Sequence, residues 1–167
     1  MPAPSAIKAI AMDVDGVLTD GTFWWGPDGQ EWKRFSFRDV MGISQAQKAG
    51  ILIALISGEN SALVDRFAAK MNIAAIFKGC KDKELALKEF AAGSGLPLEA
   101  IAFMGDDIND LDAMKAAGLS AAPADAHPSV LGQAAFVAKN FGGRGAVREL
   151  VDHLLQAQPR APNLKRK

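Results

Sequence analysis

The chain has 167 residues, enough for one domain with a substantial core, and 49% hydrophobic content excludes a disordered polymer. Nineteen basic and nineteen acidic residues cancel, which removes any overall field drawing the protein to nucleic acid or an anionic membrane. The single cysteine, Cys80, excludes an internal disulfide and a thiol-rich zinc cluster.

The N-terminus, "MPAPSAIKAIAMDVDG", meets acid before it completes a signal-peptide core, and the apolar stretch "ILIALI" is far too short to span a bilayer. These features predict a soluble, cytoplasmic protein. Short apolar runs then alternate with amphipathic segments, the pattern of a parallel sheet covered on both faces. Strands are predicted near Ile7 to Met12, Ile51 to Ile56, Ala74 to Phe77, Ile101 to Met104, Leu119 to Ala121 and Phe136 to Ala138. Helices fit Ile43 to Lys48, Ser61 to Met71, Lys83 to Ala92, Asp110 to Ala117, Pro128 to Ala134 and Ala146 to Gln156. In the third helix Leu85, Leu87 and Phe90, with Ala86 and Ala91, form the expected apolar stripe. The fold class is therefore α/β, a doubly wound, Rossmann-like sheet occupying residues 1–156 as a single domain.

One segment breaks the alternation. In "GTFWWGPDGQEWKRFSF", residues 21–37, aromatic-rich runs flank "GPDG", which predicts a β-hairpin flap. Its aromatics either cover the domain's own core or form a subunit contact or a wall over a pocket. Residues 157–167 end in "RAPNLKRK" and read as a basic tail, either free or reaching an anionic ligand.

The chemistry gathers where a doubly wound sheet binds ligands, outside the carboxyl ends of its strands. Asp13 and Asp15 follow the first strand, Ser57, Gly58 and Glu59 the second, and Asp106, Asp107 and Asp110 lie in "GDDIND" after the fourth. Crowded carboxylates repel unless a hard cation sits between them, and Mg²⁺ suits oxygen ligands that leave room for phosphate. An EF-hand loop is excluded, because counting from Asp13 places Val17 fifth and Trp24 twelfth. With a cation present, Asp13 can attack phosphorus while Asp15 protonates the leaving oxygen and later deprotonates water. Ser57 and nearby backbone N–H groups at a helix start would hold phosphate oxygens, and a lysine would neutralise charge. Lys78, Lys81 and Lys83 all stand in the right region. Ser57 and Asp110 could equally begin helices.

"DVDGVLTDG", "SG", Lys83 and "GDDIND" together resemble the four motifs of the haloacid dehalogenase superfamily of phosphatases, over residues 7 to about 156. The resemblance implies Asp13 as nucleophile, Asp15 as acid/base, and Ser57 and Lys83 as the phosphate clamp. It also implies Mg²⁺ held by Asp13, Asp106 and the backbone carbonyl of Asp15, with Asp107 and Asp110 as supporting acids. No cap domain fits between the motifs, so a neighbouring subunit would have to close the pocket. The capless plan, the "DGxxW" hairpin and the late "AHP" and "GGRGAVRE" resemble the 3-deoxy-octulosonate 8-phosphate phosphatase family. That family implies a homotetramer built on the hairpin and a 2-keto-3-deoxy sugar acid phosphate as substrate. Two departures stand out. Glu59 replaces an Arg usual in that family and resembles instead a nine-carbon, nonulosonate 9-phosphate branch, in which Glu59 and Lys70 would bind the sugar. Val40 in "FRDVMGI" stands where Gly is common. Arg144 is a candidate for the substrate's carboxylate or for a neighbour's chain, with a plain loop arginine as the alternative; Glu59 and Lys70 likewise could be ordinary helix residues. Cys80, His127 and His153 are read as structural or surface residues.

Two rivals of other classes fit the sequence less well. A receiver-like module accepts phosphate on Asp without turnover, but its acceptor follows the third strand, not the first. A scaffold that has lost activity would not need the full set of catalytic residue types.

Overall fold

The computed structural model describes residues 6–157, so the predicted tail from 158 onward lies outside the described residues. Six parallel strands form one sheet: β1 (Ala9–Met12), β4 (Leu52–Ile56), β5 (Ala75–Phe77), β6 (Ile101–Met104), β7 (Leu119–Ala122) and β8 (Phe136–Val137). Their order across the sheet is β5-β4-β1-β6-β7-β8. The chain builds outward on one side of β1, then returns to β6 and builds outward on the other. That reversal beside β1 is the topological switch point at which open α/β sheets bind ligands.

Side-chain alternation along the central strands creates two cores. Ile10 and Met12 of β1, Ile53 and Leu55 of β4, and Ala102 and Met104 of β6 face one side. There they meet helices α1 (Phe37–Lys48), α2 (Ala62–Met71) and α6 (Ala146–Ala157). Ala9, Ala11, Ala54, Ile56, Ile101 and Phe103 face the other, against α3 (Lys83–Ser94), α4 (Leu111–Ala116) and the short α5 (Pro128–Leu131). Burial on both faces explains why these strands read as unbroken apolar runs rather than alternating ones.

The helix α1 begins at Phe37, capped by the Ser36 hydroxyl, which accepts from the Arg38 N–H. The sequence reading began this helix at Ile43, so "FRDVMGI" is its first half and not a loop. Val40 therefore packs against the core from within the helix. A Cβ on Gly42 would lie 2.8 Å from the Arg148 Cα, so the missing side chain lets α1 and α6 close. Asp39, fully buried on α1, accepts from the backbone N–H groups of Gly145 and Arg148, each at 3.0 Å. It thereby satisfies the amide donors at the start of α6.

The hairpin is real but short: β2 (Trp24–Trp25) pairs antiparallel with β3 (Glu31–Trp32). Phe23, Trp24, Trp25 and Trp32 are 50–71% exposed, so they do not cover the chain's own core. Phe35 does, stacking on Phe67 of α2 with ring centroids 4.5 Å apart. In α3 the apolar stripe comprises Ala86, Leu87, Phe90 and Ala91, while Leu85 points outward. The buried first turn of that stripe is occupied by Lys83 instead.

Candidate active site

The strands β1 and β6 pair directly, with Met12 opposite Met104, so the loops leaving them start side by side. Asp13 donates its backbone N–H to the Met104 carbonyl at 3.0 Å, which places its carboxylate against the "GDDIND" loop. One carboxylate oxygen from each of Asp13, Asp106 and Asp110 lies within 4.8 Å of the other two. Into this group reaches Lys83, nearly fully buried, with Nζ 3.1 Å from Asp13 Oδ1 and 2.7 Å from Asp110 Oδ1. Lys78 instead pairs with Asp65 at 2.6 Å and Lys81 is exposed, so of the three lysines in this region Lys83 occupies the centre. Removing it would leave two buried carboxylates facing each other, a loss of about 3–5 kcal/mol.

The three acids are not equivalent. Asp110 spends one oxygen on Lys83 and the other on the backbone N–H groups of Asp106 and Asp107, at 3.0 and 3.2 Å. Both of its oxygens are engaged, and it shapes the loop. Asp106 differs, because its Oδ1 is buried without any hydrogen-bond partner. Burial, reinforced by the charges of Asp13 and Asp110, pushes the Asp106 carboxyl up to about 8. Burial also raises Asp13, to about 6, although Lys83 opposes the shift. Two destabilised carboxylates, one with an orphaned oxygen, are the donor set a hard divalent cation satisfies. Mg²⁺ fits this site, and Asp13 and Asp106 are the carboxylates that could hold it.

Gly16 shows how tightly the loop is built around that set. At φ +88° it adopts the left-handed backbone, and a Cβ there would fall 1.9 Å from the Asp106 carboxylate. Asp20, the third acid of the opening motif, serves the hairpin: it accepts from the Thr22 hydroxyl and the Arg34 guanidinium, each at 2.6 Å. The Thr22 hydroxyl is the main cause holding its carboxyl below the usual range. On the other flank, His127 donates its backbone N–H to the Asp106 carbonyl at 2.8 Å and caps α5 through Nδ1.

Asp13, Asp15, Ser57, Gly58, Glu59, Lys83, Asp106 and Asp107 all line one cavity of about 440 Å³, together with Asn109. Ser57 is buried, and its hydroxyl accepts from the Glu59 N–H at 3.1 Å. It is not a helix cap, since α2 begins at Ala62 behind the capping Ser61. The phosphate cradle expected at a helix start is therefore a loop, stitched to the end of β5 by Ser57 N–H to Phe77 carbonyl at 2.8 Å. Glu59 also borders a second, polar cavity of about 560 Å³ with Gln30, Asn60 and Arg66.

Two predicted substrate residues stand elsewhere within the single chain. Lys70 lies 5.3 Å from the Phe37 ring centroid, beside an apolar cavity of about 260 Å³. Arg144 shares a different cavity with Arg34 and Arg38. Sequence reading missed Lys33, whose Nζ lies 2.9 Å from Asp15 Oδ2 and 3.4 Å from Glu31 Oε1. Burial would lower its pKa, but the bond and charge of Asp15 outweigh that and raise it. Nothing in the linear spacing marks it, since it stands 18 residues from Asp15 at the foot of the hairpin.

A model of the haloacid dehalogenase-like hydrolases matches residues 59–149. The chain is 39% identical over 159 residues to 3-deoxy-D-manno-octulosonate 8-phosphate phosphatase KdsC of Escherichia coli K12, covering 95% of this chain and 85% of that protein. The corresponding protein of Yersinia pestis is 40% identical over 152 residues, covering 91% and 81%. Among solved structures, the phosphatase of Moraxella catarrhalis, bound to magnesium, phosphate and KDO, superposes with a TM-score of 0.91 at 36% identity, covering 93% of this chain and 90% of that one. A cobalt-bound homologue from Haemophilus influenzae gives 0.91 at 39% identity, covering 94% and 92%. With a capless parallel sheet, a carboxylate cluster around a buried lysine and relatives matched along nearly its whole length, the chain belongs to the haloacid dehalogenase-like hydrolases.

Proposed function

We propose that this chain is a Mg²⁺-dependent phosphomonoesterase that releases phosphate from 3-deoxy-D-manno-octulosonate 8-phosphate through an aspartyl-phosphate on Asp13. The observation carrying it is the convergence of Asp13 and Asp106, where Lys83 pairs with Asp13 and a buried Asp106 oxygen is left unpartnered. The substrate is suggested by the names of the relatives and by the KDO-bound homologue.

Asp13 attacks phosphorus as the carboxylate, and the bond from phosphorus to the sugar oxygen breaks. Asp15 donates its proton to that oxygen, then takes one from the water that hydrolyses the aspartyl-phosphate. Ser57, the Gly58 N–H and Lys83 hold the phosphoryl oxygens, with Lys83 offsetting their growing charge. Asp13, Asp106 and the Asp15 carbonyl would hold the cation, whose charge would let an anionic nucleophile approach an anionic ester. Asp110 keeps Lys83 and the loop amides aligned.

Four exposed hairpin aromatics support a homotetramer assembled through that hairpin, which would bring a neighbour over a pocket that no cap covers. Light scattering at micromolar concentration checks it, and a monomer overturns it. No helix among the described residues is long and apolar enough to cross a membrane. With only one cysteine, the chain suits a reducing compartment, and we assign it to the cytoplasm.

One observation favours a nine-carbon substrate instead: Glu59 lines the cavity where the eight-carbon family carries Arg. The deciding experiment is Mg²⁺-dependent phosphate release from octulosonate 8-phosphate and nonulosonate 9-phosphate side by side, with Asp13→Asn as control. Turnover of the eight-carbon acid in preference supports the first assignment. Preference for the nine-carbon acid transfers it to the second, and no turnover of either refutes both.

A further inference from the structure

Asp15 is held from behind. Its Oδ2 accepts from Lys33 Nζ at 2.9 Å, and its Oδ1 lies 3.4 Å from the Thr19 hydroxyl. Thr19 is itself fully buried, and its Oγ accepts the N–H groups of Gly16 and Gly21 at 3.3 Å each. With both amides pointing at its lone pairs, the hydroxyl proton is left for Asp15. Each carboxylate oxygen therefore has one donor, and the side chain cannot rotate without losing one of them.

Lys33 does not line the carboxylate cavity. Its side chain is 5% exposed, and it borders the neighbouring apolar cavity with Phe35, Leu63 and Phe67. The stem is thus packed where its ammonium can reach only Asp15 and Glu31 among the ion pairs described. It follows directly on β3, so its placement depends on how the hairpin closes against α2.

We propose that Lys33 is the positioning residue for proton transfer to the leaving group: it fixes the Asp15 carboxyl, and the hairpin carries that control into the site. The inference rests on the assignment of Asp15 as the acid. Lys33 lies outside the cavity lined by Asp13, Ser57 and Lys83. Its loss would leave Nζ-facing Oδ2 unpaired and free the carboxyl to turn from the leaving oxygen, whereas the attack by Asp13 would keep its geometry.

The prediction concerns leaving groups. Phenyl phosphate and p-nitrophenyl phosphate have nearly the same shape, but nitrophenolate departs without needing a proton. In Lys33→Met, kcat/KM should fall about 30-fold for octulosonate 8-phosphate, clearly for phenyl phosphate, and less than about 3-fold for p-nitrophenyl phosphate. KM should change little. Lys33→Arg, which keeps a cationic donor, should recover most of the loss, and it also serves if the methionine variant folds poorly. Asp15→Asn and Asp13→Asn are measured alongside. An equal loss on all three esters, or no loss, overturns the role of Lys33. If Asp15→Asn shows no leaving-group dependence while Asp13→Asn is inactive, the assignment of Asp15 fails, and the inference with it.

Discussion

Two regions of this molecule bury aspartate, and they do so in opposite ways. At the junction of α1 and α6, Asp39 is fully buried and accepts two backbone amides. At the head of β1 and β6, Asp13 and Asp110 share one lysine, and an Asp106 oxygen beside them is left with nothing. Burial raises the carboxyl pKa in both places, as it does for Asp39 despite its amides. The difference lies in what is satisfied. A carboxylate whose lone pairs the protein fills is structural, and one it leaves open is waiting for a ligand.

The sharpest way to test that contrast is a pair of isosteric substitutions. Asp13→Asn should lower kcat by at least roughly 10³ while leaving unfolding by denaturant unchanged or slightly improved. Asp39→Asn should do the reverse, because an amide nitrogen cannot accept from the N–H groups of Gly145 and Arg148. We expect a loss of about 1–3 kcal/mol in stability, with kcat per folded molecule retained. Near-native activity in Asp13→Asn would break the comparison.

Gly16→Ala asks whether the open cluster tolerates crowding. A Cβ at 1.9 Å from the Asp106 carboxylate must displace it. Mg²⁺ affinity, read from the activation curve, should weaken about 10-fold or more, the scale on which displaced ligand geometry is felt. An unchanged activation constant would mean that Asp106 does not hold the ion.

Protonation gives a smaller effect. Burial holds the Asp106 and Asp13 carboxyls at about 8 and about 6, both above the 3.8 of a solvated aspartate. The folded state therefore binds more protons, and their contribution to stability is complete below 3.8 and disappears as pH rises through 6 and 8. Without metal the melting temperature should fall between about pH 5 and about pH 8, and added Mg²⁺ should raise it more at the higher pH. A metal response that is equal at both values would contradict the assigned ligands. The gentlest test is Glu59→Arg, which should shift the ratio of kcat/KM between eight- and nine-carbon substrates by about 10-fold through a bidentate carboxylate contact. A constant ratio would remove Glu59 from substrate recognition.

Much of this was readable from particular residues. The runs "AIAM", "LIALI" and "IAFM" announce strands covered on both faces, because only such strands are apolar at every position. The spacing of Asp13, Ser57, Lys83 and Asp106 at strand ends follows from the same rule, since ligands collect where carboxyl ends converge. Helix starts were less legible. "FRDVMGI" hides the first half of α1, because polar Arg38 and buried polar Asp39 break the apolar period, and the cap on Ser36 is a single hydroxyl. Leu85 was misplaced for the complementary reason: buried Lys83 shifts the inward stripe of α3.

By itself, then, the sequence determined the order of strands and helices and which acids stand at strand ends, because hydrophobic period and local spacing are properties of the linear chain. Only the tertiary structure decided that Asp110 is consumed by Lys83 and two amides while Asp106 is left open, that Lys33 reaches Asp15, and that Lys70 and Arg144 stand in other cavities. Those distinctions are distances of a few ångströms between residues far apart in the chain, and they exist only once two cores have fixed every element against the sheet.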